Sequence, residues 1–341
     1  MATSTSDKQK LIGLTFNQDG GCFGATTKNG YSMYNAEPLK MLIDDCFDGG
    51  MSIVEMLFRC HYVALVGTGQ NVVYPQNKVI IWDSLYKQQI GEIVAESNIK
   101  AIKLRRDKIC VVLDDKILVY SFSEAPELLS TIETAPNTTG ICALSASVDN
   151  SLLAYPAKET GGIVKIVNLA KLEVPAVRIK AHNHAVAEIS FNFPASLMAT
   201  ASEKGTLIRI YDTDSGTLMN EFRRGSNPAK VLSIAFSLDS SLLAVASSHS
   251  TVHVFSLMCL QKQHPRIGTT IERYFKGDVS FLRLKISPTM STATVCKCAF
   301  DANSESVIVV CSDGSYHRFA IDRESGKCVK QTYSFFIELT K

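Results

Sequence analysis

The chain has 341 residues, 46% of them apolar and 20% charged, a composition that describes a folded globular protein and leaves little room for extended disorder. A formal net charge of +2 is too small for nucleic-acid binding by bulk electrostatics, so any anion site must be local. No apolar run reaches the roughly 18 residues that a membrane-spanning helix requires, which leaves only peripheral contact with a membrane.

Met1 to Gln9 are polar, with no hydrophobic signal core. They are expected to form a disordered N-terminus on a cytosolic protein, with residues 10–341 as a single domain. Short apolar runs then begin near Leu14-Thr-Phe16, Val54-Glu-Met56 and Ile102-Lys-Leu104. Three later segments superpose without gaps: Ala143 to Ala154, Glu188 to Ala199 and Ser233 to Ala244, with Leu153, Met198 and Leu243 each 45 residues apart. Every copy is an apolar run, a polar turn, a second apolar run, another turn, and a β-branched strand, at Ile163 to Val167, Thr206 to Tyr211 and Thr251 to Phe255. A last copy starts near Cys298-Ala-Phe300, which makes seven. A period of about 45 residues built only of short strands and turns matches one four-stranded propeller blade, and the spacing of 3.6 that helical repeats need is absent. The expected fold is therefore an all-β, WD-repeat-like, seven-bladed β-propeller, and either terminus could supply the strand that closes the ring. Trp82-Asp83 and Tyr211-Asp212 resemble the WD dipeptide, which the other blades lack.

Glu221-Phe222-Arg223-Arg224-Gly225-Ser226 ends the fifth blade. Consecutive arginines on a strand point to opposite faces, so the doublet suggests two anion sites. One set of flanking residues is His182, Ser202, Lys204, Thr206 and Arg209; the other is Ser247, Ser248, His249, Thr251 and His253. Guanidinium forks, hydroxyls and imidazoles together suit a phosphorylated inositol ring. The same doublet could instead be a solvated face or pair with Glu188, Glu203, Asp212, Asp214 or Glu221.

The interval from Phe236 to Phe300 is 64 residues where about 45 are expected, so an insertion at about 257–278 interrupts blade 6 before a strand resumes over Ser280 to Ile286. Met258, Leu260, Ile267, Ile271, Tyr274 and Phe275 alternate there with Lys262, His264, Arg266, Arg273 and Lys276. Such a loop can place apolar side chains at the headgroup boundary while its cations meet anionic lipid, or it can pack on the blade.

The ten cysteines fall mostly inside apolar runs and read as buried free thiols. Cys296 and Cys298 share one strand face, without the second pair that a zinc site needs. No phosphate-binding Gly-rich loop, nucleophile elbow or zinc-protease helix is present; Gly67-Thr-Gly69 is a turn with no helix after it, and Asp114-Asp115 lies between strands. Chemistry in a central channel would need acids or histidines on several inner strands, which look mostly apolar and small. Neither enzymatic activity nor a cofactor is expected. A propeller that binds proteins alone is the alternative to a lipid reader.

Phe222-Arg223-Arg224-Gly225, preceded by Ala199 to Asp212 and followed by Ser248-His-Ser-Thr-Val-His-Val-Phe255, resembles the PROPPIN family, and within it the smaller WIPI-type members. Phe16-Asn-Gln-Asp19, Val54 to Arg59, Ala64 to Gly67, Lys103 to Ile109 and Cys311 to Tyr316 extend the resemblance over essentially the whole chain. The resemblance implies two sites for phosphatidylinositol 3-phosphate or the 3,5-bisphosphate. Arg223 would serve the first with His182, Ser202, Lys204, Thr206 and Arg209, with His184 a rival for the place of His182. Arg224 would serve the second with Ser247, Ser248, His249, Thr251 and His253. It further implies membrane insertion by the blade 6 loop, a monomer in solution, recruitment to pre-autophagosomal and endosomal membranes, and an autophagy lipid-transfer protein as partner. Relatives commonly carry Gly where this chain has Ser250, which would tighten that turn if its φ is positive.

Overall fold

The computed structural model describes residues 10–159, 161–257, 280–286, 294–323 and 325–339. The readings made above for residues 1–9 and for Met258, Leu260, Ile267, Ile271, Tyr274 and Phe275 lie outside these residues. Within them, seven four-stranded antiparallel sheets follow one another along the chain, each pairing its strands in sequence order. Blade 1 lies within Leu11–Cys46, blade 2 within Met51–Val94, blade 3 within Ala101–Glu133 and blade 4 within Ala143–Lys180. Blade 5 lies within Val186–Arg223, blade 6 within Val231–Lys285 and blade 7 within Cys296–Phe335. The seven starts inferred from the repeat each fall in the first strand of a blade.

Why the repeat has this form is visible in its turns. Between the first two strands of a blade, a polar side chain accepts the backbone N–H that reopens the sheet. Asn17 Oδ1 takes Cys22 N at 3.0 Å, Asn192 Oδ1 takes Leu197 N at 2.8 Å, and Ser237 Oγ takes Leu242 N at 2.9 Å. The aspartates of Trp82-Asp83 and Tyr211-Asp212 do the same after the third strand, Asp83 accepting from Leu85 and Tyr86 and Asp212 from Ser215. These local bonds satisfy the chain at its reversals, while the strands between them supply the apolar faces.

The second strands Cys22–Thr27, Leu242–Ser247 and Ser306–Cys311 are buried along their whole length, because neighbouring blades cover both of their faces. The core divides into seven clusters, each shared by two adjacent blades. Neither terminus supplies a closing strand among the described residues. The seam between blades 7 and 1 closes by side-chain packing: Phe336, fully buried, meets Phe23 and Tyr34 edge-on at 5.1 Å each. Tyr316 donates to the Ala36 carbonyl at 2.8 Å, and Arg318 pairs with Glu37 at 3.0 Å across the same seam.

First strands line a central channel of about 460 Å³. Its lining is mostly apolar and small, as expected, but Glu55, Lys103, Glu188 and Lys297 also line it. Glu55 pairs with Lys103 at 3.5 Å and accepts from Thr15 at 3.2 Å, and Lys297 donates to the Leu232 carbonyl at 3.1 Å. Single charges on separate blades gave no local pattern in the sequence, yet ring closure brings them together. The cysteine reading also needs correction, since Cys46 and Cys328 are exposed and Cys60 is half-buried.

Candidate functional site: two clefts between blades

One position recurs in every blade. The residue just past the fourth strand, one position beyond it in six blades and two beyond it in blade 4, where Ala181 intervenes, donates its N–H to the turn between the second and third strands. The pairs are Phe47 to Asn29, Ala95 to Asn77, Thr134 to Asp115, His182 to Gly162, Arg224 to Thr206, Ile286 to Ser250 and Phe336 to Gly314, at 2.8–3.0 Å. Its side chain turns onto the next blade: Phe47 packs on Trp82, Ile286 joins the core shared by blades 6 and 7, and Phe336 closes the ring. In blades 4 and 5 the position holds His182 and Arg224, each 4% exposed. Two consecutive clefts are therefore plugged by cationic or imidazole groups where the others hold apolar or small ones.

Alternation on the fourth strand of blade 5, Leu218–Arg223, sets the direction of the doublet. Phe222 stacks on Phe255 of blade 6 at 4.8 Å, and Arg224, two residues on, faces the same cleft. Glu221 points the other way and binds Arg209, whose guanidinium donates to the blade 4 carbonyl of Ala181 at 2.5 Å. Arg223 shares that side and is exposed, and no ion pair engages it among the described residues. Opposite orientation of the two arginines, inferred from strand geometry, is what the structure shows.

The cleft between blades 5 and 6 holds a cavity of about 260 Å³ lined by Arg224, Gly225, Ser226, Asn227, His249, Thr251, His253 and Arg283, with no carboxylate among them. Among the described residues, Arg224 is held by backbone carbonyls: Nε donates to Gly205 O at 2.6 Å, and Nη2 to Asn227 O. His253 meets Ser280 Oγ through Nδ1 at 3.0 Å and lies opposite Arg283 in the sheet register. Burial, and then the positive charges of Arg283 and Arg224, depress its pKa to about 4. Burial and Arg283 likewise lower that of Arg224. Cations crowded without a counter-charge are electrostatically ready for an anion. Of the predicted second set, Arg224, His249, Thr251 and His253 line this cavity. Ser247 is buried behind it, 3.4 Å from the Thr251 hydroxyl, and Ser248 donates its N–H to the Lys230 carbonyl.

Arg283 was missed at the sequence level. Its signal was the strand resuming after the insertion, since pairing of that strand with Thr251 onward sets Arg283 beside His253. Ser250 has a φ of +54°, so a side chain does stand in the left-handed region there.

Between blades 4 and 5 the arrangement differs. His182 Nε2 lies 3.0 Å from Thr200 Oγ1, and burial followed by the charge of Arg209 brings its pKa to about 4. Arg209, paired to Glu221 at 2.7 Å, already has a carboxylate. Ser202 and Thr206 are buried on the blade 5 turn, and Lys204 is exposed. His184 is exposed, whereas His182 occupies the recurring cleft position.

The PROPPIN family model matches residues 10–329. An SVP1-like protein 2 of Pichia angusta is 34% identical, covering 88% of this chain and 87% of that one. Autophagy-related protein 18 of Yarrowia lipolytica is 36% identical, over 76% of this chain and 69% of its own. Among solved structures, Kluyveromyces lactis Hsv2 superposes with a TM-score of 0.80 at 25% identity, over 95% of this chain and 99% of that one. KlAtg21 in complex with the coiled coil of AgAtg16 gives 0.75 at 27% identity, over 95% and 99%. With a seven-bladed ring, an arginine doublet split between two clefts, and relatives matched along most of its length, this chain belongs to the PROPPIN family.

Proposed function

We propose that this protein is a peripheral membrane effector of autophagy that reads phosphatidylinositol 3-phosphate and the 3,5-bisphosphate through the clefts on either side of blade 5. The observation that carries this reading is the cavity between blades 5 and 6, where Arg224, Arg283, His249 and His253 converge with no acidic residue among the described residues that line it. A phosphate placed there would accept from the guanidinium forks, and Thr251 would offer a hydroxyl to the ring. The second contact uses Arg223, Lys204 and Thr206 beside His182 and Arg209. Two weak headgroup contacts on one rigid ring give an avidity on a membrane that neither has alone. The interleaved apolar and basic residues of the blade 6 insertion support a third, inserting contact. No described helix is long and apolar enough to cross a membrane, and this role requires none. Recruitment to forming autophagosomes and to endosomes, together with an autophagy lipid-transfer partner, completes the proposal.

A coiled coil bound to KlAtg21 favours a second, compatible reading in which the same ring also carries a protein partner. Co-sedimentation with liposomes separates the two. The wild type should pellet with vesicles containing phosphatidylinositol 3-phosphate and stay in solution with vesicles lacking it, while an Arg223→Thr, Arg224→Thr double variant stays in solution with both. A folded wild type that never pellets would leave only the protein-scaffold reading.

A further inference from the structure

We propose that Cys296 and Cys311 form a reversible disulfide across the first two strands of blade 7, a modification site that stiffens the sheet supporting the ring seam. The two residues are register partners on Cys296–Phe300 and Ser306–Cys311, and their sulfurs lie 2.9 Å apart. Both are buried, at 2% and 0% exposure. Ser312 N donates to Val295 O at 2.8 Å one step along the ladder. That makes the cysteines a non-hydrogen-bonded pair, whose Cα atoms stand about 4.5 Å apart, within the range a disulfide spans. Among the described thiols this is the pair in sulfur contact. Cys298, on the same strand, faces backbone carbonyls of Ser233 and Ala244 instead.

Hydrogen peroxide is a sufficient oxidant. One thiolate attacks a peroxide oxygen, forming a sulfenic acid and releasing hydroxide. The second sulfur then displaces hydroxide from the first, the S–O bond breaks and the S–S bond forms. Two thiol protons convert both hydroxides to water, so two electrons pass from the thiols to the peroxide. The adjoining Cys296 thiol, and then burial, push the Cys311 thiol up, which makes the reaction slow and sets this pair apart from fast thiolate sensors.

The place of the bond gives it an effect. Cys311 leads into the turn Ser312-Asp313-Gly314, whose Gly314 carbonyl receives the Phe336 N–H and whose Cα faces Ile337. A cross-link anchoring this hairpin holds the support of the Phe336 latch in place. A closed loop of this size raises the folded-to-unfolded ratio on the order of a hundredfold.

The test treats the full chain under native conditions with hydrogen peroxide, blocks free thiols, digests without reductant, and compares the digest with a reduced aliquot by mass spectrometry. A peptide joining Cys296 to Cys311, lost on reduction, with a raised unfolding midpoint in the oxidised sample, is the expected result. Recovery of both as blocked free thiols while exposed Cys46 and Cys328 are oxidised would overturn the proposal. So would a cross-link that forms only after denaturant has opened the chain, or one with no rise in midpoint.

Discussion

The clefts on the two sides of blade 5 are built from the same backbone positions and differ in their charge balance. Between blades 4 and 5, Arg209 is neutralised by Glu221, and the buried plug is a histidine held neutral. Between blades 5 and 6, the plug is an arginine bonded to carbonyls, a second arginine stands nearby, and no carboxylate lines the space among the described residues. On the proposed function the second cleft would offer its cations to an anion directly, whereas the first would have to recruit exposed Arg223 or loosen an ion pair. A shared scaffold position sets where a ligand can bind, and the partner of each cation sets how readily it does.

Acid should strike both clefts at once, and with the largest effect. His182 and His253 are brought to about 4 in the folded protein from an ordinary 6.5, so the unfolded chain binds protons that the folded one refuses. Stability is fully present above about pH 6.5 and is lost as pH falls toward about 4, on the order of 3 kcal/mol for each histidine. Thermal midpoints from pH 7.5 to 4.5 check this, and a His253→Gln variant should flatten part of the slope. A slope unchanged by that variant would place the titration elsewhere.

Gly205 joins the two clefts. Its φ is +60°, and an added Cβ would sit 1.9 Å from the Ala229 carbonyl oxygen, so Gly205→Ala should cost at least about 2 kcal/mol. It should also displace the carbonyl that Arg224 uses, which denaturant melts and liposome binding would register together. For the doublet, Arg224→Gln should weaken headgroup affinity about tenfold to a hundredfold, the scale of a lost charged hydrogen bond. Arg223→Gln, at an exposed site, should weaken it only severalfold. Equal losses by titration with a soluble headgroup would erase the asymmetry argued above.

A smaller effect sharpens the contrast from the other side. Glu221→Gln frees Arg209, so headgroup affinity at the first cleft should rise severalfold, measured in an Arg224→Gln background that silences the second. Smallest of all is Ser250→Gly, which removes a side chain from the left-handed region and should add about 0.5–1 kcal/mol of stability by denaturant melt. No gain would mean that the Ser250 side chain makes a compensating contact.

Much of the ring was legible because its information is local and repeated. Polar turn residues recur at fixed distances from apolar runs, so blade count and blade starts follow from periodicity. The orientation of Arg223 and Arg224 followed from strand alternation alone. Arg283 was hidden because the insertion breaks the period before its strand. The channel charges Glu55, Lys103, Glu188 and Lys297, like the pairing of Cys296 with Cys311, arise from tertiary closure or strand register, to which spacing along the chain gives no direct guide. His182 and His184 could not be ranked by spacing alone, whereas the fold buries His182 at the cleft and leaves His184 exposed.

The side chains just past the fourth strands of blades 4 and 5 belong to one blade by sequence and to the next by contact. Arg224 is encoded with blade 5 but meets His253 and Arg283 of blade 6, and His182 is encoded with blade 4 but meets Thr200 of blade 5. Each of these two clefts is therefore divided between two repeats of the sequence. Exchanging a single blade with a relative would transplant half of one cleft and half of another, so only adjacent pairs of blades carry an intact cleft.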